Sequence, residues 1–223
     1  MKKISDNIIL IDKPSGITSF DCIRKLRGVL GIKKMGHAGT LDPLATGLMV
    51  IGVGNEGTKE LNNFKGLEKS YEVTTLLGKR TTTGDIEGEV VEEKKVVDID
   101  KKEAQKAVER LIGEKKLPVP LYSAVKKDGK PLYWYARKGL LVETPIKTMV
   151  VKEAFFEDLH KKNDDHFIKF FIRVSSGTYV RSLVEEMGGY LGVPATVYAL
   201  RRVAVGDISI EKASLLDEVK KNF

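Results

Sequence analysis

Residues 36–47, with the sequence GHAGTLDPLATG, restrict the backbone conformation of this chain more than any other stretch does. Its three glycines permit backbone conformations that other residues disfavour, while Pro43 fixes its own φ and pushes Asp42 toward an extended conformation. Leucines stand on both sides of the acid, so the pattern predicts a partly sheltered carboxylate in a shaped loop, as for an acid used in chemistry. An ordinary turn with Asp as a turn residue explains the same letters, and the local pattern leaves both interpretations open.

The charge balance favours a polyanionic partner. The 223 residues include 38 Lys and Arg against 31 Asp and Glu, which gives a net charge of +7. Nucleic acid is the commonest polyanion that such a surface meets, although charge alone is weak support. A hydrophobic content of 42% is sufficient for a folded core.

Cysteine and histidine are scarce. Cys22 is the single cysteine and the histidines are His37, His160 and His166, so an internal disulfide is excluded and no zinc-type spacing occurs. We therefore expect chemistry that needs no transition metal. The basic start lacks the apolar run of a signal peptide, and no run approaches the roughly 20 apolar residues of a membrane span. We expect a cytoplasmic protein without a membrane partner.

Two helices have clear start signals. Ser19 is predicted to be the N-cap of a helix whose apolar side begins with Phe20. Asp100 is predicted to cap a second helix that runs to Ile112. A closing helix is predicted at 213–219.

Strands are predicted from alternating or continuous apolar runs. Residues 71–77 alternate, and we expect them to form a hairpin with 88–92. Lys13 follows the first strand, where it would meet a phosphate or a backbone group, or else be an ordinary solvated turn lysine. The remaining strands are predicted at 7–11, 48–53, 148–157, 167–175 and 197–205.

Residues 117–139 combine aromatic with basic side chains. The aromatic residues are Tyr122, Tyr133, Trp134 and Tyr135, and the basic ones are Lys126, Lys127, Lys130, Arg137 and Lys138. This composition suits looped RNA, whose bases stack and whose phosphates need neutralising, whereas packing of a short helix explains part of it equally well. Asp128-Gly129 is predicted to be a hairpin turn.

Arg181 is predicted to lie in the first turn of an amphipathic helix that follows the glycine at 177. A cation at that end opposes the helix dipole, so a compensating carboxylate is expected. Asp42 is one candidate. Solvation of the arginine, or pairing with Glu185 four residues on, are the alternatives.

Four separated motifs resemble, in this order, those of the TruB family of tRNA pseudouridine synthases. They are GHAGTLDPLATG at 36–47, KSYEV at 69–73, GTYVRS at 177–182 and LRR at 200–202. The segments DKP at 12–14 and YSA at 122–124 are similar to the family as well, so the resemblance covers nearly the whole chain. The long first motif is the most specific.

The resemblance implies isomerisation of uridine 55 of tRNA, in standard tRNA numbering, to pseudouridine by base flipping and an essential aspartate. It also implies an α+β fold with a mixed, mainly antiparallel sheet flanked by helices, as one catalytic domain over 1–223, without cofactor or metal. Members usually carry a further small RNA-binding domain that is not evident here. The RNA contacts are therefore expected from the catalytic domain and from 117–139, or else from a partner protein. The T-arm of tRNA is the expected substrate partner, and a monomer is the expected state.

Roles follow from the resemblance position by position. Asp42 resembles the catalytic aspartate, Tyr71 the aromatic residue that packs on the target base, and Arg181 the partner of the aspartate. Leu200 resembles an apolar wall of the pocket and His37 the residue that fills the gap left by the flipped base. Support of the pocket is implied, more loosely, for Lys13, Asp85 and Tyr179.

Two other classes of protein compete with this interpretation. A glycoside hydrolase also acts at a sugar anomeric carbon, but it normally needs two carboxylates flanking the bond, and the motif offers one. A non-catalytic RNA-binding or RNA chaperone module would need no acid at all, so substitution of Asp42 separates it from an enzyme.

Overall fold

The computed structural model describes residues 3–97 and 99–219. The strands over these residues are β1 (Lys3–Ser5), β2 (Ile8–Lys13), β3 (Met35–His37), β4 (Thr46–Val53), β5 (Lys69–Leu77), β6 (Lys79–Thr81), β7 (Val90–Glu93), β8 (Gly113–Pro118), β9 (Lys126–Lys127), β10 (Lys130–Pro131), β11 (Ile146–Lys162), β12 (Asp165–Val174), β13 (Ala195–Val205), β14 (Ile208–Ser209) and β15 (Ser214–Leu215). The helices are α1 (Ser19–Leu30), α2 (Gly54–Glu60), α3 (Asn62–Lys65), α4 (Lys101–Glu109), α5 (Leu132–Arg137) and α6 (Val180–Leu191), with 3₁₀ turns at Ile210–Lys212 and Leu216–Glu218.

The chain divides into two compact units. The first comprises Met1–Glu72 and Ala199–Phe223, and the second comprises Val73–Tyr198. Most strand pairs are antiparallel, while β4 with β13 and β2 with β15 are parallel. This mixed, mainly antiparallel α+β architecture confirms the predicted fold class.

The first unit is built around β2 and β4. These strands pair antiparallel over six positions, from Ile8 opposite Gly52 to Lys13 opposite Gly47, and β3 lies against the end of β4. Their shared core contains Ile8, Leu10, Ala38, Leu48, Val50, Leu61 and Val205. The predicted strands at 7–11, 48–53 and 197–205 are confirmed as β2, β4 and β13.

The predicted cap of α1 is wrong by one residue. Thr18 is the N-cap: its hydroxyl accepts the Asp21 N–H at 3.1 Å, and the Asp21 carboxylate accepts the Thr18 N–H at 2.9 Å. Such a reciprocal pair satisfies two helix donors and outcompetes a lone serine. The Ser19 hydroxyl therefore does not cap the helix and bonds to Leu41 instead. Phe20 is 54% exposed, so it does not belong to the apolar side of the helix.

The second unit is centred on a long antiparallel hairpin. Strands β11 and β12 pair from Val151 opposite Val174 to Lys162 opposite Asp165, and Asn163 in their turn has a φ of 55°. Neighbouring strands follow the order β5, β12, β11, β8. The predicted strands at 148–157 and 167–175 are confirmed, and β11 extends beyond its predicted bounds at both ends.

The predicted hairpin between 71–77 and 88–92 is wrong in its pairing. β5 lies beside β12, and β7 pairs instead with the short strand β6. Gly78, with a φ of 86°, ends β5 before the chain enters β6. The apolar strand β5 therefore pairs within the central sheet, and the exposed strand β7 pairs only with the short strand β6.

The predicted closing helix at 213–219 is also wrong. Ser214 and Leu215 form β15, which adds in parallel to Ile11 and Asp12 of β2, and only a 3₁₀ turn follows. Backbone groups at the edge of β2 form hydrogen bonds with this segment, and these bonds outweigh its local preference for a helix. Asp100 does cap a helix, with a capping box to Glu103, but α4 ends at Glu109, before the predicted Ile112.

Candidate active site

Lys13 supports the loop 36–47 through hydrogen bonds from its buried ammonium group. Its side chain is fully buried, and Nζ donates to the backbone oxygens of Pro14 at 2.8 Å, Pro43 at 3.1 Å and Ala45 at 2.7 Å. The solvated-turn interpretation of Lys13 is therefore excluded, and its ammonium meets backbone groups. Two of these oxygens belong to the turn that follows Asp42, so the buried charge holds that turn in place.

Ser19 fixes the other side of Asp42. Its hydroxyl accepts the Leu41 N–H at 2.8 Å and donates to the Leu41 oxygen at 2.9 Å. The Ala45 N–H donates to the backbone oxygen of Asp42 at 3.1 Å, and this hydrogen bond closes a turn around Pro43. Asp42 itself is half-buried, with its neighbours on both sides held by hydrogen bonds.

Arg202 ties the two ends of the loop together. This side chain is 1% exposed, and it donates from Nε to the Leu48 oxygen at 2.7 Å and from Nη2 to the Gly39 oxygen at 3.2 Å. Gly47 lies opposite Arg202 in the parallel pair of β4 and β13. A Cβ on Gly47, whose φ is 107°, would lie 2.3 Å from the Arg202 backbone oxygen, so only glycine fits there.

Arg201 links strands β2, β4 and β13 at the surface. Its guanidinium contacts both carboxylate oxygens of Asp12, at 3.1 and 2.6 Å, and the Thr46 hydroxyl at 3.3 Å. A two-point arginine–carboxylate contact fixes direction as well as distance. The adjacent residues Arg201 and Arg202 therefore lock β2, β4 and β13 around the start of β4.

Burial and the charge of Arg202 lower the pKa of two side chains at the loop, His37 and Lys69. Burial, and then the Arg202 guanidinium, lower the pKa of His37, so its imidazole is neutral at pH 7. The same two causes lower the pKa of Lys69 from its usual 10.5 to about 8. Lys69 is 6% exposed and donates to the backbone oxygens of Lys65 at 2.8 Å and Leu67 at 2.6 Å.

The lowered pKa of Lys69 predicts a stability effect in alkaline solution. Between pH 8 and 10.5 the unfolded chain binds the Lys69 proton more fully than the folded chain, so this residue's contribution to the free energy of unfolding rises with pH. In urea titrations, the free energy of unfolding of the wild type minus that of Lys69→Met should rise over this window, by at most about 1.4 kcal/mol per pH unit. A difference that stays constant from pH 7 to 10 would contradict a lowered pKa.

Tyr71 and Leu200 belong to the first unit, like Asp42 and His37. Both side chains are 8% exposed, Tyr71 on β5 and Leu200 on β13. The Gly206 N–H donates to the Glu68 oxygen at 2.9 Å, which lays the start of β5 along the end of β13. The loop, the apolar side chain and the aromatic ring thus come from neighbouring segments of one unit.

Arg181 lies in the first turn of α6, as predicted, in the second unit. It is 6% exposed, and its guanidinium donates to the Thr83 oxygen at 2.7 Å and the Tyr122 oxygen at 3.0 Å, so the solvated alternative is wrong. Burial raises the pKa of Glu185, and the charges of Arg80 and Arg181 oppose that rise. Arg181 and Glu185 line a cleft of about 570 Å³.

Asp85 and Tyr179 flank Arg181 within this unit. The Asp85 carboxylate accepts the Thr83 hydroxyl at 2.6 Å and the Glu87 N–H at 3.2 Å, so it shapes the turn whose Thr83 oxygen binds Arg181. Tyr179 is the residue before α6 and is half-buried, with the Lys147 ammonium 5.9 Å from its ring centre.

The basic and aromatic residues of 117–139 pair with one another. Lys130 lies 5.6 Å from the Trp134 ring centre and Arg137 lies 5.4 Å from that of Tyr133. The predicted hairpin turn is confirmed, with positive φ at Asp128 and Gly129 between β9 and β10. Part of the segment forms the short helix α5, so both interpretations of its composition apply to it.

Several residues of the site were not identified from the sequence. The sequence predicts Ser19 as a helix cap, and it indicates no individual role for Arg201, Arg202 or Lys69 within their motifs. The LRR motif was the one usable signal, because a buried strand rarely carries two adjacent arginines unless they are paired. No three His, Cys, Asp or Glu side chains within 3–97 and 99–219 are grouped as metal ligands.

Comparison with known proteins identifies the family. A sequence profile described as TruB family pseudouridylate synthase, N-terminal domain, matches residues 27–180, which include the whole loop around Asp42 and the motif of Tyr71. The chain belongs to the TruB family. The resemblance seen in the four motifs is thereby confirmed.

Curated relatives of this TruB family chain match it over most of its length. The protein named tRNA pseudouridine synthase B of Cupriavidus pinatubonensis is 41% identical over 95% of this chain and 66% of its own. That of Burkholderia pseudomallei is 40% identical over 97% of this chain and 70% of its own. The chain thus spans about two thirds of the length of these relatives.

A solved structure supports the fold of this TruB family chain. A crystal structure of a Cbf5–Nop10–Gar1 complex aligns with a TM-score of 0.70 and 24% identity, over 95% of this chain and 53% of that one. At this identity the likeness concerns the fold. No helix in the described part of the chain is long and apolar enough to cross a bilayer.

Proposed function

We propose that this protein is a tRNA pseudouridine synthase that isomerises uridine 55, in the T-loop of tRNA, to pseudouridine with Asp42 as the essential acid. One observation carries the proposal. In a chain of the TruB family, Asp42 is half-buried in a loop that Lys13, Ser19 and Arg202 hold by hydrogen bonds at both ends. Such preorganisation is what a catalytic carboxylate needs.

The reaction exchanges one bond for another on the same sugar. The bond from N1 of uracil to C1′ breaks, a bond from C5 to C1′ forms, C5 loses its proton and N1 gains one. Asp42 acts as an ionised carboxylate, whether it attacks C1′, adds to the ring or removes a sugar proton. A rigid loop keeps this carboxylate aimed while the uracil turns.

The target base must leave its stack before the enzyme can reach the sugar, and this unstacking costs a few kcal/mol. Tyr71 supplies a flat face for the flipped uracil and Leu200 an apolar wall. His37 fills the vacated place in the RNA. Its lowered pKa supports this role, because a neutral ring stacks without desolvating a charge.

By its resemblance to the family, Arg181 has the role of the aspartate's partner, because a guanidinium group keeps a carboxylate ionised. Asp85 supports Arg181 through Thr83, and Tyr179 supports it from the start of α6. The bonds from Arg181 to Thr83 and Tyr122 support this arrangement, because they hold a buried arginine in one orientation.

The partner of this protein is the T-arm of tRNA, which a cytoplasmic monomer binds through its catalytic domain. The net charge of +7 supports a polyanionic partner. The paired cations and rings of 117–139 support an RNA contact there, because bases stack on aromatic side chains and phosphates bind lysine and arginine.

The test of the reaction follows the C5 hydrogen. A tRNA transcript labelled with tritium at C5 of its uridines should release tritium to water in proportion to pseudouridine, because the new bond replaces C5–H. The matched control is the same transcript with cytidine at position 55, which should release none. Free uracil with retained tritium would identify a hydrolase, and neither product a non-catalytic RNA-binding module.

A further inference from the structure

Phe20 is exposed on a helix whose neighbouring side chains are arginines. It is 54% exposed on α1, and the guanidinium carbons of Arg24 and Arg27 lie 5.7 and 5.5 Å from its ring centre. These three residues are spaced by four and three positions, so they form one stripe along the helix. The opposite side of α1, with Cys22, Ile23 and Leu26, is buried.

The stripe lies in a segment with an excess of positive charge. Residues 19–34 include five Lys and Arg and a single acid, Asp21. Asp21 contacts Arg24 at 2.9 Å and Lys25 contacts Asp217, yet the Arg24 side chain remains 69% exposed, and both Lys33 and Lys34 are exposed. An aromatic ring among guanidinium groups is the arrangement on which RNA bases stack while their phosphates are neutralised.

The stripe is joined to the active-site loop. Arg27 donates from Nη2 to the Met35 oxygen at 3.3 Å, and Met35 begins β3, at whose end His37 enters the loop. This hydrogen bond connects Arg27 of the stripe with the strand that leads to His37, the residue that faces the RNA stack in the proposed function. The stripe is therefore a neighbour of the proposed substrate site.

We propose that the α1 stripe, Phe20 with Arg24 and Arg27, binds the tRNA substrate by stacking an unpaired base on Phe20 and neutralising a phosphate at Arg24. This inference rests on the proposed function for the identity of the RNA. A second copy of this chain is the less suitable occupant, because a symmetric contact would press the same positive stripe against itself.

The experiment measures binding of an unmodified tRNA transcript to the full chain carrying Asp42→Asn, so that no product forms, across a salt series. Adding Phe20→Ala should weaken affinity by roughly fivefold or more without changing the salt dependence, while Phe20→Tyr keeps it. Adding Arg24→Gln should lower the slope of log K against log salt by about one phosphate contact.

Matched controls are Phe155→Ala, which removes a phenylalanine of 57% exposure from β11, and Lys102→Gln on the exposed side of α4. Both should bind like the parent. Parental binding by the Phe20 and Arg24 variants, or equal losses in the controls, would overturn the stripe as an RNA contact. A Phe20→Ala effect seen only as loss of self-association in sedimentation would assign the stripe to a second copy, and overturn it too.

The outcome is separable from that of the proposed function. Pseudouridine formed by the wild type, together with parental binding by both stripe variants, would reject the stripe alone. Binding that depends on Phe20 and Arg24, without pseudouridine from the wild type, would reject the proposed reaction and keep the stripe. A chain that binds no tRNA would reject both.

Discussion

Asp42→Asn is expected to abolish pseudouridine formation, lowering the single-turnover rate by roughly 10⁴-fold or more, while tRNA affinity stays largely unchanged. Asparagine has the shape of aspartate but neither its charge nor its nucleophilicity, and the loop is held by Lys13, Ser19 and Arg202 rather than by the carboxylate alone. The measurement is tritium release from C5-labelled tRNA, with affinity from filter binding.

A matched control for this substitution is Asp164→Asn, because Asp164 is a fully exposed acid in the turn between β11 and β12. It should react at the wild-type rate. If Asp42→Asn also formed pseudouridine at that rate, Asp42 would not be the catalytic acid, and the fixed loop would need another explanation.

Gly47→Ala is expected to lower the free energy of unfolding by about 3 kcal/mol and to remove activity with it. The added methyl group would lie 2.3 Å from the oxygen and 2.7 Å from the nitrogen of the Arg202 backbone, at a φ of 107° that alanine rarely adopts. Both atoms belong to a paired strand and cannot move aside without breaking the contact of β4 with β13. Urea denaturation measures the change.

Gly28→Ala is the matched control, because a methyl group there, in α1, would meet nothing within 4 Å. Alanine in a helix should stabilise the protein by about 0.5–1 kcal/mol relative to glycine. Equal stability of the two variants would show that the close approach of Gly47 to Arg202 does not constrain the loop.

Local patterns predicted the elements whose residues decide their own structure. Alternation and apolar runs gave β2, β4, β11, β12 and β13, and the capping acid Asp100 gave the start of α4. The loop around Asp42 was predicted from its glycines and Pro43, because backbone freedom is a property of those residues themselves.

The errors lie where distant partners decide. Residues 213–219 have a helical pattern, but the edge of β2 draws Ser214 and Leu215 into a strand. Phe20 has the spacing of a buried residue, yet the burial of α1 is set by what packs on its other side. No spacing rule indicates that Ser19 will bond Leu41, or that Arg202 will reach both Gly39 and Leu48.

The most direct measurement is to map pseudouridine at nucleotide resolution in an unmodified tRNA transcript after incubation with the purified wild-type chain. A single modified position, uridine 55, is expected with the wild type and should be absent with Asp42→Asn. An RNA that is bound yet unmodified at position 55, or one modified equally by both proteins, would contradict this expectation.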